Sequence, residues 1–246
     1  MILFTADIDW ACEEVIADTI SLFEKYNVKC TFFATHDSSV LKNCNKDLFE
    51  IGLHPNFNQI LNGTSTKNAE QVFKELKEIY PFAKGARSHS LTQSGPILDI
   101  YKRNGMEYEC NHFLPYHQGL KPFKLWNDLI RIPFNWEDDY HFALGYSFDD
   151  YLLDFNDAGL NILNFHPIHV FLNSEDNNRY LGVKNMLNNP TEIAKNINKS
   201  EVKGTRDILI KALEFVSKSK LNSFTLSELI FKHKQIAVNP SKTMFN

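Results

Sequence analysis

The chain is poor in the residues that break regular structure: its 246 residues include only 10 glycines and 9 prolines. That excludes collagen-like repeats and Pro/Gly-rich low-complexity segments. Cysteine is scarce as well. Cys12, Cys30, Cys44 and Cys110 form no C-x-x-C pair, which excludes a zinc knuckle. Four are too few to staple a chain of this length, so they read as free thiols in a reducing compartment. No stretch approaches the roughly 18 uncharged apolar residues of a membrane span. There is no excess of positive charge either. A net charge of -4 argues against an electrostatic nucleic-acid binder, which would carry a basic stripe. The first residues, Met1 to Asp7, lack a basic region and meet an acid at once, unlike a signal peptide. A cytoplasmic location is expected.

What remains is a globular composition, 43% hydrophobic and 23% charged, with 20 phenylalanines. Aromatics in that number build a large core, a ring-lined pocket, or both. Phe4, Phe32, Phe33, Phe134 and Phe165 fall in predicted strands and are expected in the core.

Hydrophobic periodicity predicts alternating elements. Ile2 to Ile8 is a short apolar strand ending in acids. Val15, Ile16, Ile20, Leu22 and Phe23 recur at helical spacing over Ala11 to Tyr26, and Asn27 closes that helix. Strands are predicted over Val28–Thr35, Asp47–His54, Ala83–Ser90, Tyr108–Asn111, Leu129–Trp136 and Asn161–Val170. Helices are predicted over Thr66–Tyr80, Pro96–Asn104 and Thr205–Ser217. A short strand and a helix close the chain over Asn222–Lys232. The polar segment near 173–203 reads as a loop excursion. Strands alternating with helices imply a parallel sheet with crossover connections. No composition shift marks a boundary, so one α/β barrel over 1–246 is expected, with its site at the C-terminal ends of the strands.

Polar residues collect at those ends. Asp7 and Asp9 stand two apart after the first strand. They either face a cation together or cap the next helix. His54, fixed before Pro55, follows the third strand, and Asn58 four residues on is a weak ligand at most. Arg87 and His89 follow the fourth; Arg87 can orient a carboxylate and lower its pKa. In Leu163 to His169, Pro167 argues against a helix, and strand spacing would put His166 and His169 on opposite faces. Trp136-Glu137-Asp138-Asp139 is either a solvated acidic loop or a site wall contributing Trp136. An apolar strand ending in Asp-x-Asp is also similar to the first motif of haloacid-dehalogenase-type phosphatases. Asp7 would then be a nucleophile, with Asp138-Asp139 or Asp149-Asp150 as the second acidic pair.

The order of the motifs resembles the polysaccharide deacetylase family (NodB homology, carbohydrate esterase family 4). Phe4 to Asp9 matches its Asp-x-Asp strand end, and Lys25 to Phe33 its "KYxVKATFF" strand. Glu50 to His54 resembles "EIGxHxxxH", Arg87 its third motif, Leu163 to His166 its Leu-x-x-His, and "SFTLSEL" its close. The combination with Arg87 to Leu91 and His166 to His169 looks like a branch associated with surface-polysaccharide biosynthesis. The resemblance implies a distorted (β/α) barrel of the seven-stranded NodB-like type. It implies a metal-dependent hydrolase that removes an N-acetyl group from an amino sugar or a polysaccharide precursor. Asp7 would be the general base, Asp9 and His54 metal ligands, Arg87 the holder of Asp7, and His166 the general acid. Asn58 stands where the family has its second histidine ligand, and His89 is the candidate replacement. The metal would be divalent, with zinc first and cobalt, nickel or iron also compatible with N/O ligands. The family's Pro-aromatic pair is missing from the third motif, so the pocket wall differs. A non-catalytic carbohydrate-binding relative is the remaining alternative.

Overall fold

The computed structural model describes residues 1–148, 159–219 and 221–238. Its strands are β1 (Ile2–Asp7), β2 (Cys30–Ala34), β3 (Phe49–Leu53), β4 (Gly85–Ala86), β5 (Tyr108–Glu109), β6 (Phe123–Lys124), β7 (Ile130–Arg131), β8 (Trp136–Glu137) and β9 (Asn161–Phe165). Its helices are α1 (Glu13–Tyr26), α2 (Ser39–Asn43), α3 (Asn58–Leu61), α4 (Ala69–Ile79), α5 (Gly95–Arg103), α6 (Asp138–Ala143), α7 (Pro167–Leu172), α8 (Asn177–Leu181), α9 (Pro190–Ala194), α10 (Thr205–Lys218) and α11 (Leu226–Val238).

The strands form one sheet in the order β6-β7-β5-β4-β3-β2-β1-β9-β8. All neighbours run parallel except β6 and β7. This sheet cannot be flat. Between β7 and β8 lie seven strand spacings, about 34 Å across an untwisted sheet. The chain from Arg131 to Trp136 spans at most about 18 Å. The sheet therefore curls until residues 132–135 bridge its edges. Phe134 pairs with Phe113 on one side, and the Asn135 N–H reaches the Ile162 carbonyl on the other. The result is the expected distorted (β/α) barrel.

Strand alternation sorts the side chains. Ile2, Phe4 and Ala6 of β1 pack outward under the helices, while Leu3 joins an inner cluster with Phe33, Phe134 and Ile162. Leu226, Leu229 and Ile230 of α11 belong to the inner cluster. The Leu226 N–H bonds Thr31 near the start of β2, and the Ser227 N–H bonds Glu50 near the start of β3. Helix α11 thus plugs the end of the barrel opposite the strand C-termini. The five phenylalanines expected in the core are all buried. The four cysteines are free. Among the described residues, no helix is long and apolar enough to cross a membrane.

Several local expectations need correction. The single strand predicted over Leu129–Trp136 is two strands seven positions apart in the sheet, β7 next to one end and β8 at the other, split at Pro133, which offers no ladder N–H. That division, with the antiparallel β6, gives nine strands among the described residues where the family resemblance implies seven. The strand predicted over Ala83–Ser90 shrinks to Gly85–Ala86. Pro167 does not exclude a helix but starts one: it is the first residue of α7, where a missing N–H is harmless. The segment near 173–203 is not plain loop, since it contains α8, α9 and a 3₁₀ turn at Lys184–Met186. Polar N-caps, Asp176 and Asn189, start those short helices. Residues 222–225 form no strand.

Candidate functional site

Each candidate side chain is carried at the C-terminal end of a parallel strand. Asp7 ends β1 on its inward face, beside Thr5. His54 follows β3, and its N–H bonds the Ala34 carbonyl at 2.7 Å. Arg87 follows β4, its N–H bonded to the Leu53 carbonyl at 2.9 Å. Gly85 is required there, because a Cβ would lie 1.9 Å from the Tyr108 ring. His89 opens a 3₁₀ turn docked on Pro55 through its backbone N–H. His166 follows β9 and precedes α7.

These residues meet in one place. Arg87 is fully buried, and its Nη1 donates to Asp7 Oδ1 and Oδ2 at 3.1 and 3.3 Å. Its guanidinium lies between the rings of Phe33 and Phe134, 4.6 and 4.3 Å from their centroids. Its Nε and Nη2 donate to the Cys110 carbonyl and sulfur. Asn164 Nδ2 donates to Asp7 Oδ2 at 2.9 Å. Asp9 Oδ1 lies 3.3 Å from His54 Nε2 and 3.1 Å from His89 Nδ1. Asp9, His54 and His89 bring their ligating atoms within 4.8 Å of one another. Asn58 is not in that group; its amide donates to Ser90 Oγ at 3.1 Å. His166 Nε2 is 3.8 Å from Asp9 Oδ2 and 3.8 Å from a Glu137 oxygen. On its other side, Nδ1 meets Asp138 Oδ1 at 2.7 Å, and the His166 N–H donates to Asp138 Oδ2 at 2.8 Å.

The electrostatics divide the two ends of the cluster. Burial pushes the Asp7 carboxyl up, but the charges of Arg87, His54 and His166 outweigh it and hold it below the usual carboxylate range. Burial disfavours charge on His166. Asp138, first by charge and then by hydrogen bond, with Asp139, overturns this and lifts the imidazole well above its ordinary value. The surroundings thus favour the ionised form of Asp7 and the protonated form of His166. His169 is buried behind His166, their rings 5.7 Å apart, and burial with the His166 charge pushes it down to about 3.

Asp7, Asp9, His54, Arg87, His89 and His166 all converge; Trp136 does not join them. Its indole is 2% exposed and packs on Phe165 at 5.1 Å, so it fills the core instead of walling an open pocket. The acids after it are not a solvated loop. Asp138 is fully buried at the start of α6, bound to His166. The sequence offers Asp138 only as an acid of a solvated loop or of a phosphatase pair, and gives Asn164 no role. Asn164 carries a signal: it is a polar residue between Leu163 and Phe165 near the C-terminal end of a buried strand. A hollow of about 300 Å³ adjoins the cluster, lined by Ser90, Leu91, Phe113, Glu137, Asp139, Tyr140 and Ala143.

Comparison with known proteins gives this cluster a family. A family profile described as WbmS-like polysaccharide deacetylase matches residues 4–184. The chain belongs to the WbmS-like polysaccharide deacetylase family. A crystal structure from Bordetella bronchiseptica, of a protein assigned as a polysaccharide deacetylase involved in O-antigen biosynthesis, is 37% identical. The match covers 87% of this chain and 89% of that one, with a TM-score of 0.80. The 4-alpha-glucanotransferase of Thermococcus litoralis is 12% identical over 94% of this chain and 38% of its own, with a TM-score of 0.51. That is a likeness of fold alone. A family 4 acetyl xylan esterase from Clostridium thermocellum, solved with a cobalt ion, is 14% identical over 94% of this chain and 90% of its own, with a TM-score of 0.47. No curated protein matches the chain. Membership covers β1 through α8, and so every residue of the cluster.

Proposed function

We propose that this WbmS-like deacetylase is a divalent-metal-dependent hydrolase that removes an N-acetyl group from an amino sugar of a surface polysaccharide or its precursor. One observation carries the reading. A base held by a buried cation (Asp7–Arg87) and an acid held by a buried anion (His166–Asp138) flank one group of three metal-type ligands. The relative involved in O-antigen biosynthesis supports the choice of substrate class.

The residues fit a metal. One carboxylate and two imidazoles, from Asp9, His54 and His89, suit a divalent ion with positions left for water and substrate. Zinc, cobalt, nickel and iron all accept such a set. His54 turns Nε2 to Asp9 at 3.3 Å, while its buried Nδ1 makes no hydrogen bond among the described residues and lies 3.8 Å from Asp7 Oδ1. A metal held there would polarise the acyl carbonyl and make water a better nucleophile.

The chain supplies the proton traffic. Asp7, ionised and oriented by Arg87 and Asn164, takes the proton from the attacking water. Protonated His166 gives its Nε2 proton to the departing nitrogen, while Asp138 on Nδ1 fixes the tautomer and stabilises the charge. Arg87 is too buried to meet substrate and serves to hold Asp7. Asp7→Asn should abolish turnover and retain metal; His54→Ala should lose metal. Full activity in Asp7→Asn would sink this assignment. Of the acidic pairs the phosphatase reading would recruit, Asp138 is engaged with His166, and Asp149 and Asp150 lie outside the described residues. A non-catalytic relative would show neither bound metal nor affinity for one.

A further inference from the structure

Trp10 follows Asp9 directly, and nothing above uses it. Asp9 and Trp10 both lie in the left-handed region, with φ of 36° and 58°. Two consecutive non-glycine residues there are uncommon, and a bulky aromatic is the least suited to it. The turn is held by the Ala11 N–H on the Ile8 carbonyl and the Trp10 N–H on Thr35 Oγ1. Such a conformation persists only where the surroundings enforce it. Its outcome is specific. Asp9 swings onto His54 and His89, and the indole is left 43% exposed, touching the His89 ring edge to face at 5.0 Å. Of the other two tryptophans, Trp136 is buried in the core and Trp126 sits on the β6–β7 turn.

We infer that Trp10 is the stacking platform for the sugar ring that bears the N-acyl group. The inference rests on the deacetylase reading and extends it to substrate recognition. Contacts run from Trp10 through His89 and Asp9 to His166, whose Nε2 must face the leaving nitrogen. An acyl group seated at Asp9 and His166 puts the attached pyranose within reach of the indole. The apolar C–H face of a pyranose gains most from an exposed aromatic surface, and an acyl group without a ring gains little.

The test uses metal-reconstituted full-length protein and two kinds of probe. One is whichever of N-acetylglucosamine, N-acetylgalactosamine and their oligomers the wild type cleaves best. The other is 4-nitrophenyl acetate, which carries no sugar. For Trp10→Ala we expect KM for the acetamido sugar to rise about tenfold with a smaller fall in kcat, and a loss on the ester several times smaller than on the sugar. Trp10→Phe should recover most of the affinity, and sugar-induced quenching of tryptophan fluorescence should vanish in it although Trp126 and Trp136 remain. Equal losses on both probes, loss of metal by Trp10→Ala, or quenching that survives in Trp10→Phe would overturn the inference. So would a wild type that cleaves the ester and no acetamido sugar. A metal-loaded wild type inactive on both probes would instead overturn the deacetylase reading on which it stands.

Discussion

Replacing Arg87 with Met tests the electrostatic base of the site. Methionine fills similar space and keeps apolar contact with Phe33 and Phe134. It removes the guanidinium that faces Asp7, which is 3% exposed. Breaking a buried pair on one side leaves an uncompensated charge, at about 3–5 kcal/mol. For a chain of this length 1 kcal/mol corresponds to about 2 °C in Tm, so a fall of about 6–10 °C is expected. The pH dependence is more telling. In the wild type Asp7 is held below the usual carboxylate range, so its contribution to stability is present at neutral pH and lost as pH falls through that depressed pKa. In the variant, burial without Arg87 pushes Asp7 up. Its contribution then exists at low pH and is lost as pH rises. The deficit of Arg87→Met should therefore be larger at about pH 7.5 than at about pH 4. Urea unfolding of metal-free protein at the two values measures it, without ligand linkage to mask it. A deficit that does not change with pH, or one under about 1 kcal/mol, would refute the coupling of Arg87 to Asp7.

Three other outcomes follow from the geometry. His89→Ala should weaken metal binding about 100-fold or more, while Asn58→Ala should change it less than about threefold; titration calorimetry separates them. Asp138→Asn removes the anion that lifts His166, so the alkaline limb of the pH–kcat/KM profile should move to lower pH, read from initial rates across a buffer series. Asn164→Leu removes the second donor to Asp7 at similar volume. It should lower kcat by about tenfold with metal content unchanged, and an unaltered kcat would argue that Arg87 alone positions the base.

Much of this was legible in the sequence because parallel strands repeat a simple signal. A buried strand is an apolar run, and its C-terminal end is where polar residues reappear. Asp7, His54, Arg87 and His166 were found that way. His89 falls with Arg87 inside the strand predicted over Ala83–Ser90, whereas it reaches Asp9 from a 3₁₀ turn after the strand has ended. What stayed hidden depends on contacts between distant segments. Asp138 looks like one of three surface acids until β8 pairs with β9 and brings it under His166. Trp136 looks like an exposed ring until the same pairing buries it. Two strands far apart in the sheet, β7 and β8, can read as one, because nothing between Ile130 and Glu137 records that the barrel closes there. Pro167 shows the opposite error: a breaker inside a helix is a good first residue for one.

The central claim is tested most directly by acetate release from an N-acetylated sugar before and after stripping the metal. The account predicts that exhaustive chelation abolishes release and that zinc or cobalt restores it in wild type but not in His54→Ala. Undiminished release from protein shown to be metal-free would contradict it.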